Sequence, residues 1–317
     1  MALPASGAIS LNQVNIELGN AETAQISLND AVVRALFGKA SGAISMSDGY
    51  GKSSVFKFNI TSNTTNANLR TLAVNAGWDQ TSPVEATVNS GVYVYATSTG
   101  NAALTINGSW PGGVTLVNNG YIIGMGGAGG RGYSSLAGSD AGPAISLGIN
   151  CNIENNSYIC GGGGGGGGGQ TSAGGGGAGG GAGGPVTNPI DSLTGGGGGG
   201  PGANGAAGKV GQYGISGGGG GRRLPGVGAT GTTTTAPGGG AGGAGGGAGG
   251  PYAGGSGGSN NSAGGSGASK LSGGGGGGWG ASGGTSDKAG GAGGRAVRLN
   301  GYTVTWLANG TRWGAIS

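Results

Sequence analysis

Residues 160–170 read CGGGGGGGGGQ, and nine consecutive glycines decide which kind of fold this chain can adopt. Glycine-rich stretches are usually flexible linkers with no structure of their own. A chain of 317 residues with 92 glycines and no strict Gly-X-Y period normally indicates low complexity. Charged residues make up only 8% of the chain, however, whereas disordered chains are usually rich in charge. The glycines are also concentrated, since 79 of the 92 follow residue 123.

The glycine segments recur with Ala, Ser or Pro as nearly all of their interruptions, at 124–130, 161–169, 174–184, 195–205, 217–221, 238–250, 254–258, 273–280 and 290–294. Segments of varied composition lie between them, and this alternation is typical of rods joined by loops. The rod open to polyglycine is a left-handed helix with three residues per turn, in which nine residues span about 28 Å. It has no internal hydrogen bonds, so neighbouring rods can pair their backbone groups. We therefore expect a bundle of polyglycine II helices over 124–294.

Residues 55–123, ahead of the glycine segments, predict a compact β-rich domain. VFKFNI at 55–60 alternates, which places Phe56, Phe58 and Ile60 on one face. A helix is expected over 65–77, and short strands are expected at 84–89, 91–96, 102–107 and 113–119. The predicted fold class is mainly β and irregular. Its expected segments are a docking module (1–54), the β-rich domain (55–123), the bundle with its loops (124–294) and a C-terminal β segment packing back on the β-rich domain (295–317).

An internal repeat links the β-rich domain to the glycine segments. VNNGYIIGMGG at 117–127 aligns with ENNSYICGGGG at 154–164 at a constant offset of 37 residues. A strand-then-glycine unit used twice predicts two parallel neighbours. In this register Cys160 replaces Ile123 and Cys151 replaces Val114, so both cysteines occupy apolar positions. This favours buried free thiols, although a disulfide stays open.

A threefold echo marks the N-terminal module: ISLNQ at 9–13, ISLND at 26–30 and ISMSD at 44–48. Each places Ser three residues before Gln or Asp, close to the capping box that begins a helical turn. A short helix should follow the second echo and end at Gly38. The echoes have two interpretations, a small packed module or an element that docks into a larger assembly. The docking residues would be Ile9, Leu11, Ile26, Leu28, Ile44 and Met46.

Several classes of function are disfavoured by composition. The chain has no histidine, so histidine-based general-base and metal chemistry are excluded, and its ten carboxylates are isolated. We therefore expect no enzyme, and no cofactor is implied. The net charge of +4 is mild and the basic residues are scattered, which argues against nucleic acid. No apolar run approaches 18 residues, and the start resembles no secretory signal, so membrane insertion is not expected.

The glycine segments with variable interruptions resemble the receptor-binding adhesins at the tips of long tail fibres in T-even-like phages. PASGAISL at 4–11, SGAISMSD at 41–48 and TWLANGTRWGAI at 305–316 are similar to stretches found more broadly in phage tail proteins. The resemblance implies a sandwich of polyglycine II helices whose end loops contact host outer-membrane proteins. It also implies that the chain is made in the host cytoplasm, is mounted on the virion tail and becomes extracellular after release.

The direction of the rods predicts which loops lie together. If the repeat copies are parallel, 124–130 and 161–169 both lead away from the β-rich domain, and later rods alternate. We call the end beside the β-rich domain the near end and the opposite one the far end. The connections expected at the far end are 170–173, 206–216, 251–253 and 281–289. Those expected at the near end are 185–194, 222–237 and 259–272.

The far end is the predicted receptor-binding tip, because all four aromatic residues of the glycine region fall at or near it. Tyr and Trp dominate binding hot spots, and several basic residues join them. The candidate receptor-binding residues are Arg131, Tyr133, Lys209, Gln212, Tyr213, Tyr252, Trp279 and Lys288. In the alternative interpretation, the aromatic residues cap the rod ends and shield glycine backbone from water.

The expected partners are a host outer-membrane protein or lipopolysaccharide, and a phage tail or fibre protein bound through the N-terminal module. A structural tail-tip or fibre subunit that does not touch the host is the main alternative. An ice-binding bundle would need Thr or Ala repeated in register, whereas the threonines cluster once, at 232–235. A disordered glycine-rich protein would show no cooperative unfolding transition.

Overall fold

The computed structural model describes residues 3–132, 136–170, 172–185, 195, 197–198, 263–267 and 270–317. These residues form mainly β structure with few helices. The helices are α1 (Leu11–Glu17), α2 (Ala31–Phe37) and α3 (Leu69–Asn75), with a 3-10 helix at Met46–Gly49. The strands are β1 (Phe56–Ile60), β2 (Thr64–Thr65), β3 (Ala67–Asn68), β4 (Val84–Val88), β5 (Tyr93–Tyr95), β6 (Leu104–Ile106), β7 (Val114–Asn118), β8 (Tyr121–Ile123), β9 (Ile145–Leu147), β10 (Cys151–Cys160), β11 (Val297–Arg298) and β12 (Val304–Trp313).

The chain divides into two compact units, which do not coincide with the four predicted segments. The first unit comprises residues 1–58, 73–85 and 109–114, and the second comprises 59–72, 86–108 and 115–317. The glycine segments and the C-terminal strands therefore share a unit with most of the β-rich part. Strands β1, β4 and β7 each begin in the first unit and end in the second.

The first unit shows why the N-terminal echoes recur. Ser10 and Gln13 form a reciprocal capping box that begins α1, and Ser45 and Asp48 do the same for the 3-10 helix. In the middle echo, the Asp30 carboxylate accepts the Ser27 N–H at 2.8 Å, while α2 ends at Gly38 with φ +68°. The predicted short helix and its glycine stop are thus confirmed.

The strands form two sheets, and the chain runs repeatedly from the larger sheet to the smaller one. Each such run is called a pass, and each pass adds strands to both sheets. The larger sheet has the order β1-β4-β7-β10-β8-β5-β2, with β12 also paired to β10, and the smaller has the order β11-β9-β6-β3. The pairings of β10 with β7, β8 and β12 are all parallel, as are those within the smaller sheet. One pass supplies β5 and β6, the next β8 and β9, and the next β10 and β11.

The 37-residue repeat sets the register between these passes, as predicted. Asn155 pairs with Asn118 and Tyr158 with Tyr121, side by side and parallel. The same register stacks Tyr93, Tyr121 and Tyr158, whose ring centroids are 4.7 and 5.6 Å apart. The buried Asn118 side chain donates to the Asn155 side chain at 2.8 Å. The asparagines of the two repeat copies therefore hydrogen-bond to each other across neighbouring strands.

Both cysteines are free and buried at the apolar positions predicted for them. Burial raises the pKa of the Cys151 thiol to about 12. It also raises that of Cys160, although a hydrogen bond with the Trp313 backbone acts the other way. The thiolate is the form that attacks disulfide reagents. Neither thiol should therefore react with Ellman's reagent at about pH 8 in the folded protein.

The same measurement after unfolding without a reductant should count two reactive thiols. A count of zero in the unfolded chain would instead reveal a disulfide, and rapid reaction of the folded protein would contradict the burial.

The glycine segments lie in two long insertions, which we call excursions. Each is inserted between the strand that a pass adds to the larger sheet and the strand that it adds to the smaller sheet. The first excursion leaves after β8 and returns before β9, where the Gly142 N–H donates to the Met125 carbonyl at 2.8 Å. The second leaves after β10 and returns before β11, where the Gly294 N–H donates to the Gly162 carbonyl at 2.8 Å. Each excursion thus begins and ends at neighbouring points at the near end.

Two predicted directions are corrected by the described residues. The run 174–184 is not one rod, because the chain turns at 178–180, where Gly179 and Gly180 have φ of +97° and +87°. Residues 263–267 form a separate outgoing segment, with the Gly267 N–H donating to Thr285 at 2.9 Å. Consequently Pro185 and Lys270 lie at the far end rather than the near end, and the turn around Trp279 lies at the near end.

Candidate functional site

Residues 161–169 are central to the described part of the glycine region and bond to six of its segments, while Gly161 also donates to Trp313 at the end of β12. N–H groups three residues apart donate to the same segment: Gly162, Gly165 and Gly168 to Gly142, Ser139 and Leu136; Gly163, Gly166 and Gly169 to Ala178, Gly175 and Ser172; and Gly164 and Gly167 to Ala281 and Gly284. Their carbonyl groups accept in the same way, from Gly127 and Gly130, from Gly294 and Gly291, and from Gly280, Gly277 and Gly274. Every third residue therefore faces the same neighbour.

The spacing between these segments leaves no room for side chains. A Cβ added at Gly162 or Gly165 would overlap the carbonyl oxygen of Met125 or Ala128 on one neighbour, and one at Gly164 would overlap that of Gly291 on another. Only glycine lets the backbones approach closely enough for these hydrogen bonds. The segments hold each other in place laterally and fix the positions of the connections at their ends.

Trp279 closes the near end and does not belong to a receptor-binding surface. Its side chain is fully buried and packs with Ile123, Cys160 and Ala178. The neighbouring Gly280 N–H donates to the carbonyl of Gly161, the first residue after β10. The prediction that Trp279 contacts a receptor is therefore wrong, and the capping alternative describes this residue correctly.

The far end brings together residues from five connections. Arg131 and Leu136 belong to the first, and the Leu136 N–H donates to the Arg131 carbonyl at 3.2 Å. Gln170 donates through its N–H to the Lys270 carbonyl at 2.7 Å, which joins the second connection to that at 270–272. Pro185 accepts from Gly132 at 3.3 Å, and Ser286–Lys288 form a turn in which the Ser286 N–H donates to the Lys288 carbonyl.

The side chains at this end are suited to contact with another surface. Arg131, Gln170, Lys270 and Lys288 are exposed, as is the apolar Leu136, at 51%. Of the predicted receptor-binding residues, Arg131 and Lys288 are thus together at the far end. Tyr133, Lys209, Gln212, Tyr213 and Tyr252 lie outside the described residues. Sequence reasoning missed Leu136, and it missed Lys270 because the segment 263–267 was not counted as a rod.

The predicted docking residues of the N-terminal module form its core. Ile9 is buried with Val14, Val33 and Phe37, and Ile26, Leu28, Ile44 and Met46 pack against this cluster, while Leu11 is half-buried. The assignment is corrected for Ile9, whose side chain is buried in the core and is not available as a contact surface. The other five side chains are partly buried, and their part in docking stays a prediction. The apolar residues that the module exposes include Ile16 and Val32, at 50% and 56%.

The part of the chain that the structure describes bears on two features, a cluster of metal-binding side chains and a membrane-spanning helix. It contains no group of three or more His, Cys, Asp or Glu side chains placed to hold a metal ion. None of the described helices is long and apolar enough to cross a membrane.

Comparisons with known proteins point to one family. The model of the phage tail fibre adhesin Gp38 family matches residues 55–317. A chain in the crystal structure of the gp37–gp38 adhesin tip complex of the bacteriophage S16 long tail fibre is similar in fold, with a TM-score of 0.56 and 22% identity. That match covers 99% of this chain and 100% of the other. Comparison with curated proteins gives no match.

Proposed function

Since the chain belongs to the Gp38 family of phage tail fibre adhesins, we propose that its far end binds a receptor on the outer membrane of a bacterial host. The observation that carries this proposal is the convergence of described residues from five connections at that end, with Arg131, Lys270, Lys288 and the apolar Leu136 exposed together. Exposed basic and apolar side chains on a fixed frame suit recognition of an outer-membrane protein or of lipopolysaccharide.

The frame itself is, we infer, a bundle of polyglycine II helices. The support is the threefold pattern around residues 161–169, in which donors and acceptors three residues apart share a neighbour. Three residues per turn is the repeat of this helix. A rigid frame reduces the conformational entropy that the connections would otherwise lose on binding, so more of the contact energy remains as affinity.

Binding to outer-membrane vesicles of susceptible bacteria tests this function. Arg131→Ala combined with Lys288→Ala should weaken binding about 10-fold, because both charges lie at the proposed contact surface. Lys57→Ala is the matched control. It removes an exposed lysine of the first unit, whose 2.9 Å ion pair with Glu85 is a surface pair of small value.

The same vesicles distinguish the alternatives. A further variant, with Tyr213 and Tyr252 both changed to Ala, tests the part of the prediction that rests on sequence alone. Unchanged binding by both double variants would move the receptor site away from the far end. No binding of the unaltered protein to vesicles of any host would favour a structural tail-tip subunit.

We also propose that the N-terminal module docks the chain onto a phage fibre protein, which would place it on the virion tail. The support is that the similar solved structure is a complex with gp37. Ile16 on α1 and Val32 on α2 are exposed apolar side chains. The same module has a groove of about 570 Å³ whose lining includes Ala31, Arg34 and Ala35 of α2.

Ile16→Asp combined with Val32→Asp should abolish co-purification with the fibre protein encoded by the same phage. The melting temperature should change little, because substitutions of exposed residues usually alter stability by less than about 0.5 kcal/mol. Leu307→Asp is a matched control, since this leucine is also 56% exposed but lies on β12. Normal co-purification of the double variant would rule out this surface as the docking site.

A further inference from the structure

Two adjoining polar cavities lie in the second unit, away from the far end. The larger, of about 510 Å³, is lined by residues that include Thr99, Asp140, Arg295, Arg298 and Ser317. The smaller, of about 310 Å³, is lined by Asn101, Thr105, Ser146 and Arg298, among others. Gly100 and Arg298 line both. Volumes of several hundred Å³ with a few polar groups are typical of small-ligand sites.

Arg298 separates the two cavities and carries an unsatisfied donor. It lies on β11, where its backbone pairs with Ser146 of β9. Its Nε–H is buried and has no hydrogen-bond partner among the described residues. A buried donor without an acceptor destabilises a protein, and a guanidinium presents its donors in a fixed fork that matches carboxylate or phosphate oxygens. The Arg298 side chain makes no hydrogen bond or ion pair among the described residues and lines both cavities, so its guanidinium can bind an acceptor there.

The larger cavity offers groups of both signs. Arg295 donates through Nε to the Ser317 hydroxyl at 2.9 Å, which fixes its side chain at the cavity wall. Asp140 accepts the Ala292 N–H through Oδ1 at 2.7 Å. Its other carboxylate oxygen has no protein donor among the bonds of the described chain and can accept a hydroxyl group. The titratable side chains lining the larger cavity are thus two guanidinium groups and one carboxylate.

We propose that these cavities form a binding site for an anionic sugar, separate from the far-end receptor surface. The phosphate or carboxylate of the sugar binds Arg298 and Arg295. The hydroxyl groups of the ring form hydrogen bonds with Asp140 and with the polar side chains of Asn101, Thr105 and Ser146. A charge-assisted pair with arginine supplies most of the affinity, and the carboxylate supplies the preference for a hydroxyl-bearing ligand over a bare anion.

Isothermal titration of the full chain at constant ionic strength tests this site with four probes: glucose 6-phosphate, glucuronate, glucose and inorganic phosphate. Binding of glucose 6-phosphate or glucuronate with a Kd of about 1 mM or tighter, and at least about 10-fold tighter than glucose, is expected. The comparison of the two anionic sugars decides whether phosphate or carboxylate is the preferred group.

Arg298→Gln should weaken this binding at least about 10-fold, because a charge-assisted donor is lost. Arg295→Gln, at an exposed position, serves as a second variant if Arg298→Gln does not fold. Lys57→Gln removes a positive charge at an exposed position outside both proposed sites and should bind like the unaltered protein. Asp140→Asn should keep the bond to Ala292 and bring the affinity for glucose 6-phosphate closer to that for inorganic phosphate.

Three results would overturn the proposal. They are no heat from either anionic sugar at about 10 mM, equal binding of inorganic phosphate and glucose 6-phosphate, and equal loss of affinity in Lys57→Gln and Arg298→Gln. None of these results depends on a bacterial receptor, so the proposal can fail while the far-end function stands.

Discussion

Replacing Gly165 with alanine is expected to prevent the glycine region from assembling. Gly165 donates to Ser139 at 3.0 Å and accepts from Gly291 at 2.7 Å, and a Cβ would overlap the Ala128 carbonyl on a third segment. Relief of that overlap requires the segments to separate, which leaves buried backbone groups without partners. We expect the free energy of unfolding to fall by at least about 4 kcal/mol, among the largest effects of single substitutions.

Urea unfolding of the purified variants measures this effect, and Gly197→Ala is the matched control. A Cβ at Gly197 would meet its nearest atoms at 3.8 and 3.9 Å, which is ordinary contact. There alanine should be neutral, or stabilising by about 0.4–1 kcal/mol through the unfolded chain. Equal stability of the two variants would contradict the close packing around residues 161–169.

Trp279→Ala is expected to produce the second large loss, of about 3–5 kcal/mol. The side chain is fully buried at the near end, beside Tyr93, Tyr121 and Tyr158 of the stacked ladder, and no small residue can fill its place. Its indole N–H is buried without a partner among the described residues. Trp279→Phe keeps part of the packing and removes that unsatisfied donor, so its loss should be clearly smaller.

Thermal unfolding and vesicle binding together decide between the two roles of Trp279. If the tryptophan supports the frame, the alanine variant loses stability, and binding falls only in proportion to the unfolded fraction. A stable Trp279→Ala protein that no longer binds vesicles would restore the receptor-contact interpretation.

The β framework was predictable because its signals are carried by side chains. Alternation at 55–60 gave β1, and the offset of 37 residues gave the parallel register of β10 with β7 and β8. The predicted helix over 65–77 is shorter in the structure, at Leu69–Asn75, because residues 64–65 and 67–68 enter the two sheets as β2 and β3. Pairing with neighbouring strands there overrides the local helical pattern.

The directions of the glycine segments were harder to predict, because glycine marks neither a straight segment nor a turn. The turn at 178–180 is made by Gly179 and Gly180 inside a run of uniform composition. Missing it placed Pro185 at the near end instead of the far end. Trp279 was misassigned because residues 263–267 were not counted as a separate outgoing segment. An aromatic residue among glycines can equally well face a partner or fill the space beside a turn.

The N-terminal module gives a different lesson. Its repeated apolar residues looked like a contact surface, but a module of this size needs them for its own core. Ile16 and Val32 lie outside the three repeated stretches. They differ from the apolar residues of those stretches only in being exposed, which the sequence does not show. Core and docking residues share the same chemistry, so sequence alone left both interpretations open.

Because residues 161–169 are all glycine, every position of this segment presents the same surface to its neighbours. With the polyglycine II geometry proposed above, one added glycine would turn the residue that follows the segment by a third of a turn and advance it by about 3.1 Å. The lengthened segment would still present the same hydrogens, donors and acceptors to its six neighbours. The framework would be conserved while the connection after it, near Gln170, moved and rotated. Changes in tract length, without any change in the loop sequences, are thus a second way to alter what the far end presents.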